Sequence, residues 1–433
     1  MRYDPISNSL FKENRSRFAK ELKSNSLAII LSNDEFPKSG DSYFSFKQNS
    51  DLFYLTGIIQ EESSLILFPD SSIKGNKEIL FLKETNDHIA VWEGEKLSKK
   101  QASEISGIPE NQIHWSSEFN SILHSMVHYA EPIYFNTNEN DRYLHKIDYY
   151  DLRVIQKFKD QYPLHTLNRA APIFRKLRSI KSVEEIKLLT KAADITHNAF
   201  MRILTYIKPG RWEFEIEAEI THEFMIARAD GHAYSPIIAS GGSACVLHYN
   251  TNNLVCGNGD LLLLDFGASY AMYNADLTRT VPVNGRFSPR QKEVYEAVLR
   301  ILNASKKLLI PGTKLPDYRK ETDQIAIEEL HKLGLISKKE DKANSNTAKS
   351  WRKFYPHGIS HYLGLDVHDL GDKNEIMKPG MVFTCEPGIY IREENIGIRL
   401  ENDIVLTKEG NIDLMYKTPI HPEEIEELMN TET

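Results

Sequence analysis

Cysteine is scarce in this chain: only Cys245, Cys256 and Cys385 occur among 433 residues, an odd number with no Cys-x-x-Cys spacing. That excludes a disulfide framework and a structural zinc knuckle, and predicts buried free thiols. Long apolar runs are missing too. Stretches such as Leu261–Leu264 fall far short of the ~20 residues that span a bilayer. The opening segment, MRYDPISNSLFKENRSRF, lacks the apolar core of a signal peptide. These absences predict a cytoplasmic protein with no membrane association. Charge of one sign is also lacking: 53 Lys and Arg stand against 61 Asp and Glu, and the basic residues are spread along the chain. No electrostatic footprint for nucleic acid or anionic lipid follows, so a small molecule or peptide is the better candidate substrate.

What is present suits a folded protein. With 41% hydrophobic and 26% charged residues the chain can bury a sizeable core. At ~100–200 residues per domain its length exceeds one unit, and two domains are expected. The first third alternates a helical stretch from about Asn8 to Lys23 with apolar runs Leu27 to Leu31, Ser64 to Phe68 and Glu78 to Leu82, which reads as α/β. A basic, irregular passage (TLNRAAPIFRKLRSIKS) then leads into Ser182-Val-Glu-Glu185, a capping box. A boundary near residue 170 divides the chain into 1–170 and 171–433. The second part opens with two amphipathic helices, the first ending at Pro209-Gly210 and the second running from Glu213 to Ala229; a third covers Pro289 to Leu309. The polar stretch Ser337 to Ser350 reads as a solvated loop. Apolar runs at Leu261–Phe266, Thr278–Val283, Met381–Cys385 and Gly397–Leu406 read as strands, so this part is α+β.

Two of these strand segments carry acids in matched positions. In LLLLDFGASYAMYNADLTRT, a hairpin with its tip at Tyr270-Ala271 sets Asp265 opposite Asp276. In EPGIYIREENIGIRLEND, a tip at Glu393-Glu394 sets Glu386 opposite Glu401. Directly paired residues share a face with Cβ atoms ~5 Å apart. Both segments run from an apolar strand into carboxylate-x-Gly, Asp265-Phe-Gly267 and Glu386-Pro-Gly388, and return to a second acid, which suggests an internal repeat. Ionised carboxylates at that spacing repel by about 3 kcal/mol per pair at an effective dielectric near 20. Either some are protonated or cations lie among them, and four acids on apolar strands favour hard or borderline divalent cations. A pair of ions could then share carboxylates and one activated water.

Between the hairpins lies His357-Gly-Ile-Ser-His361-Tyr-Leu-Gly-Leu-Asp-Val-His368-Asp. His357 and His361 are four apart, but Gly358 and Gly364 argue against a long helix, and spacing alone does not say which histidine is a ligand. His248, in ACVLHYN, is ambiguous by itself.

Taken together, LHYN, LDFGASYAMYNADLTRTVPVNG, HGISHYLGLDVHD, FTCEPGIYI and GIRLENDI resemble the pita-bread metallopeptidases, in particular their aminopeptidase P (Xaa-Pro aminopeptidase) branch. The match covers roughly residues 170–430, and DSYFSFKQNSDLFYLTG, from Asp41 to Gly57, is similar to that branch's N-terminal domain. The resemblance implies a pita-bread catalytic domain with an internal pseudo-twofold repeat, preceded by a smaller α/β domain. It implies two divalent ions, usually manganese, with cobalt or zinc as alternatives, held by Asp265, Asp276, His361, Glu386 and Glu401. In this carry-over Asp276 and Glu401 bridge the ions, and Arg399, two residues from Glu401 on one strand face, steadies the carboxylates. The implied reaction is attack by a metal-bridging hydroxide on the carbonyl before a proline in second position, with Glu386 relaying the proton. His248 and His368 stabilise the oxyanion or hold the peptide, and His357 orients its neighbours. Asp41 and Trp92 of the first domain are implied substrate contacts, possible across a homodimer or homotetramer. The competing readings are a prolidase acting on Xaa-Pro dipeptides and an inactive pita-bread binding module.

Overall fold

The computed structural model describes residues 2–140, 147–337 and 350–431. The polar stretch expected as a loop at 337–350 therefore falls almost entirely outside the described residues. The chain forms two compact units, Asp4–Leu177 and Met1–Tyr3 with Arg178–Thr433.

In the first unit the apolar strand Leu27–Leu31 is buried along its whole length. It pairs antiparallel with Ser64–Leu67 and parallel with Ile133–Phe135. Glu78–Leu82 and Ile113–Trp115 extend the sheet on one side and Leu167–Arg169 on the other, giving six mixed strands. Alternate residues Leu27, Ile29 and Leu31 face one core with Ile66, Phe81, Phe135 and Phe158, as the period of two requires. The helix Asn8–Glu21 starts where the Ser7 side chain accepts the Ser9 N–H.

The second unit opens with the expected capping box. The Ser182 hydroxyl accepts the Glu185 N–H at 3.3 Å while the Glu185 carboxylate accepts the Ser182 N–H at 2.8 Å. The helix Val183–Tyr206 that follows packs on the first hairpin, and its buried Thr196 hydroxyl accepts the Ala268 N–H at 2.9 Å. Helices Glu213–Ile226 and Pro289–Leu308 lie where the apolar spacing put them. A further helix, Leu315–Lys332, was not read from the sequence.

Both hairpins form. Strand Leu261–Phe266 pairs with Leu277–Pro282 and, on its other edge, with Ile237–Ser240. Its leucines are buried on both faces, which explains a continuous apolar run in place of alternation. Near the tip the same register continues as Ser269↔Asn274 and Tyr270↔Tyr273, so the turn is Ala271-Met272. Both turn residues have positive φ, 51° and 63°, as a two-residue hairpin turn of primed type demands. This corrects the expected tip by one residue: Asp265 stands opposite Thr278, and Asp276 is its diagonal neighbour. Ala and Met rarely take left-handed backbone, so the turn carries no sequence signal; burial of both side chains offsets the strain. The face is preserved, because Asp276 and Thr278 are two apart on one strand.

The second hairpin keeps the expected register. Cys385↔Asn402 and Gly388↔Arg399 bracket Glu386 and Glu401, which therefore fall opposite each other. Superposing the two registers makes Asp265 equivalent to Glu386 and Gly267 to Gly388, with Thr278 and Asp276 taking the places of Glu401 and Arg399. The hairpins meet directly: the Glu401 N–H donates to the Thr278 carbonyl at 3.0 Å.

The glycine after each first carboxylate is a packing requirement. A Cβ on Gly267 would sit 1.8 Å from the Ala275 carbonyl oxygen. Gly267→Ala is expected to destabilise the second unit by about 3 kcal/mol or more, read from urea denaturation, because the clash is with backbone across the hairpin. A change below about 0.5 kcal/mol contradicts that packing.

Candidate metal centre

Strand alternation carries the acids to one place. Asp265, Asp276 and Glu401 are 8%, 5% and 2% exposed, and Glu386 is half-buried beside them. Donor atoms of Asp276, His361 and Glu401 lie within 4.8 Å of one another, a grouping suited to one metal ion. His361 Nε2 is 3.5 Å from Asp276 Oδ2 and 3.6 Å from Glu386 Oε1. Its other nitrogen, Nδ1, is 2.9 Å from the Tyr362 carbonyl oxygen, which can only accept. Nδ1 therefore carries the proton, and Nε2 turns toward the carboxylates.

Positive charge around the acids is short. Arg399 spans the hairpins: it contacts Asp265 through Nη2, the Tyr390 hydroxyl through Nη1 at 2.8 Å and the Thr278 hydroxyl through Nε at 3.1 Å. Thr278 in turn donates to Glu401 at 2.6 Å. The Tyr234 hydroxyl lies 2.6 Å from Asp265 Oδ1 and 2.5 Å from Asp276 Oδ1. Burial, then the charges of Asp276, Glu386 and Asp265, pushes the Glu401 carboxyl well above its ordinary range. Burial raises Asp276 as well, helped by Asp265 and opposed by its hydrogen bond to His361. Glu386 is pushed up to about 7, mainly by burial, against the pull of His361. Burial alone would depress His361, but its hydrogen bond to Asp276 and the Glu386 charge push it up to about 9. Unit charges 4 Å apart interact by about 4 kcal/mol at an effective dielectric of 20, so four acids with one guanidinium fit a site built for divalent cations.

The other histidines differ in setting. His357 Nδ1 faces the Gly358 carbonyl oxygen at 2.9 Å, and its Nε2 accepts from the Tyr390 hydroxyl at 2.7 Å. Burial, then Arg399, pushes it down to about 4, so it is neutral. Its Nδ1 is also 3.7 Å from Glu386 Oε2. His368 is exposed and packs against His361, the rings tilted 34° with centroids 4.1 Å apart. His248 is exposed, and its loop is pinned by the Tyr249 hydroxyl on Glu213 at 2.7 Å. Asp41 and Trp92 lie in the first unit, Asp41 in an exposed turn and Trp92 on the helix Asp87–Glu93 with 77% exposure.

Several residues of the site were not read from the sequence. Thr278, Tyr390 and Asp403 each lie an even number of residues along a strand from a candidate ligand, so the period of two could have found them. Asp403 is buried and accepts the Asp276 N–H at 3.1 Å. Tyr234 has no such signal, since it follows an irregular turn from the strand Gly231–His232.

Comparison with known proteins decides the family. A model of metallopeptidase family M24 matches residues 187–408, and a model of the aminopeptidase P N-terminal domain matches residues 11–134. The chain is 35% identical to the Xaa-Pro aminopeptidase of Escherichia coli (strain K12) over 98% of each sequence. The chain belongs to metallopeptidase family M24. Among solved structures, a putative aminopeptidase P from Bacillus anthracis superposes with a TM-score of 0.91 at 32% identity, covering 98% of both chains. Aminopeptidase P from E. coli with the inhibitor Pro-Leu superposes with a TM-score of 0.87 at 33% identity, covering 98% of this chain and 99% of that one. The second unit thus has the pita-bread fold of the family, and the site is that of a hydrolase using divalent metal ions.

Two outcomes follow. Chelation is expected to lower the melting temperature by several degrees relative to protein with excess manganese, because cations bind the folded site alone; equal melting with and without chelator contradicts the site. The second concerns Asp369, close behind His368, whose carboxylate contacts Arg178 and Lys181. Burial alone would raise it, yet Arg178 and then Lys181 hold it below the usual range. A depressed folded pKa contributes stability above the unfolded value of ~3.9 that is lost as pH falls through the folded value. Asp369→Asn should flatten the loss of stability below about pH 4 in urea titrations; an unchanged acid limb contradicts the pairing.

Proposed function

We propose that this chain is a metallo-aminopeptidase that removes the N-terminal residue from peptides with proline in second position. The observation that carries this reading is the convergence of Asp265, Asp276, Glu386, Glu401 and His361 from two matched hairpins and the intervening segment. Whole-length similarity to proteins named Xaa-Pro aminopeptidase supports the choice of substrate.

Those five side chains would hold two divalent ions. Such ions supply Lewis acidity, polarising a peptide carbonyl and acidifying water. Manganese suits the oxygen-rich donor set with its single imidazole; cobalt and zinc fit the same set. Glu386, with Oε1 toward His361 and Oε2 toward His357, takes a proton from water and passes it to the departing proline nitrogen. That nitrogen belongs to a tertiary amide: it takes up one proton on leaving, as any amide nitrogen does, but has no N–H through which the intact substrate could be held. Arg399 holds the Asp265 side chain in place, and neutral His357 fixes the Tyr390 hydroxyl that Arg399 also binds. His248 and His368, both exposed, hold the peptide and stabilise negative charge on its carbonyl oxygen. Asp41 and Trp92 are proposed to contact substrate in a homodimer or homotetramer. A cytoplasmic location accords with three buried free thiols.

Hydrolysis of a panel of Xaa-Pro dipeptides and Xaa-Pro-Yaa tripeptides, with manganese, cobalt or zinc added, tests the reading. Release of the first residue from tripeptides is expected. Asp276→Asn should reduce kcat/KM roughly 100-fold or more, the equivalent of about 3 kcal/mol. Activity confined to dipeptides makes the chain a prolidase, and no activity with any metal makes it a binding module.

A further inference from the structure

The segment 361–369 carries a proposed ligand and an exposed histidine, yet it has no helix or strand of its own apart from a bridge between Tyr362 and Phe383. Such a segment needs other restraints to hold side chains within the ~0.5 Å that a working site tolerates. Two sets of contacts supply them. On one side the buried Asn274, next to the turn of the first hairpin, donates through its side chain to the Gly364 and Leu365 carbonyls at 3.0 and 2.9 Å. On the other side lies a knot of charges. One Asp369 oxygen accepts Lys181 Nζ at 2.9 Å and the other accepts Arg178 Nη2 at 2.5 Å. Arg178 also reaches Asp366 at 2.7 Å. The Arg178, Lys181 and Asp369 side chains are 3%, 1% and 1% exposed. Gly364 leaves room for this knot, since a Cβ there would lie 2.1 Å from Asp369 Oδ2.

Desolvating three charges offsets much of what their pairing returns, so the net stability of the knot is small and does not by itself account for it. Its connections suggest another purpose. The Asp369 N–H donates at 2.9 Å to the Tyr362 carbonyl, the same oxygen that takes His361 Nδ1. His368, immediately before Asp369, packs its ring against that of His361. One anchored residue thereby sets the orientation of His361 and the placement of His368.

We propose that Arg178, Lys181 and Asp369 are positioning residues for this centre, aiming His361 Nε2 at the carboxylates and holding His368 against it. The proposal rests on the reading of His361 as a metal ligand. It is tested with the full chain, using manganese titration by calorimetry, thermal melting, and kcat and KM on an Xaa-Pro-Yaa tripeptide. The informative variant is Lys181→Met with Asp369→Asn, which removes both charges of one pair and leaves Arg178 paired with Asp366. It is expected to melt close to the wild type, while manganese affinity falls roughly 10-fold or more and kcat falls with it. Lys181→Arg, which keeps the charge, is expected to restore most of both relative to Lys181→Met. Wild-type manganese affinity and kcat in the folded double variant overturn the proposal. Should the double variant not fold, the same result in Lys181→Met alone overturns it. A wild-type chain that takes up no manganese removes the metallopeptidase reading and the proposal together, and so is distinct from failure of the proposal alone.

Discussion

Mutual repulsion among four closely set carboxylates, three buried and one half-buried, is the constraint on which the rest of this molecule turns. Left to themselves, Asp265, Asp276, Glu386 and Glu401 would drive their strands apart or take up protons. The raised proton affinities of Asp276, Glu386 and Glu401 express that tension, and the Tyr234 hydroxyl lies against oxygens of both Asp265 and Asp276. Among the described residues Arg399 answers it with a permanent charge, and it does so by joining the hairpins: its guanidinium comes from the second and its carboxylate partner from the first.

The fold supplies the opposing force. Buried strands on both sides, with the helices Val183–Tyr206 and Pro289–Leu308 packed against them, fix the two hairpins in apolar surroundings where acids are costly. The hairpins are variations on one plan. Where the second places Glu401 and Arg399, the first places Thr278 and Asp276, and the substituted positions bond to each other, Thr278 to both Glu401 and Arg399. A repeated unit has thus diverged into complementary halves.

Much of this was legible in the residues. The acids, the carboxylate-x-Gly rhyme and the Ser182 capping box follow from spacing, and the register of the second hairpin follows from its symmetry about Glu393-Glu394. The first hairpin was misread by one residue because Ala271-Met272 lacks the Asn or Gly that usually marks a left-handed turn; its strain is offset by burial, which spacing does not reveal. Tyr234 escaped because it reaches the site from an irregular turn, and the Arg178–Asp369–Lys181 knot because Asp369 lies 191 and 188 residues from its two partners. Which histidine faces the acids is likewise a matter of hydrogen bonding to the Tyr362 carbonyl and not of sequence spacing.

That the carboxylates form a site for two cations is tested most directly by anomalous diffraction at the manganese edge from crystals grown with the metal. Two peaks are expected, both bounded by Asp265, Asp276, His361, Glu386 and Glu401. No peak among these residues, or ions bound only elsewhere on the chain, would contradict it.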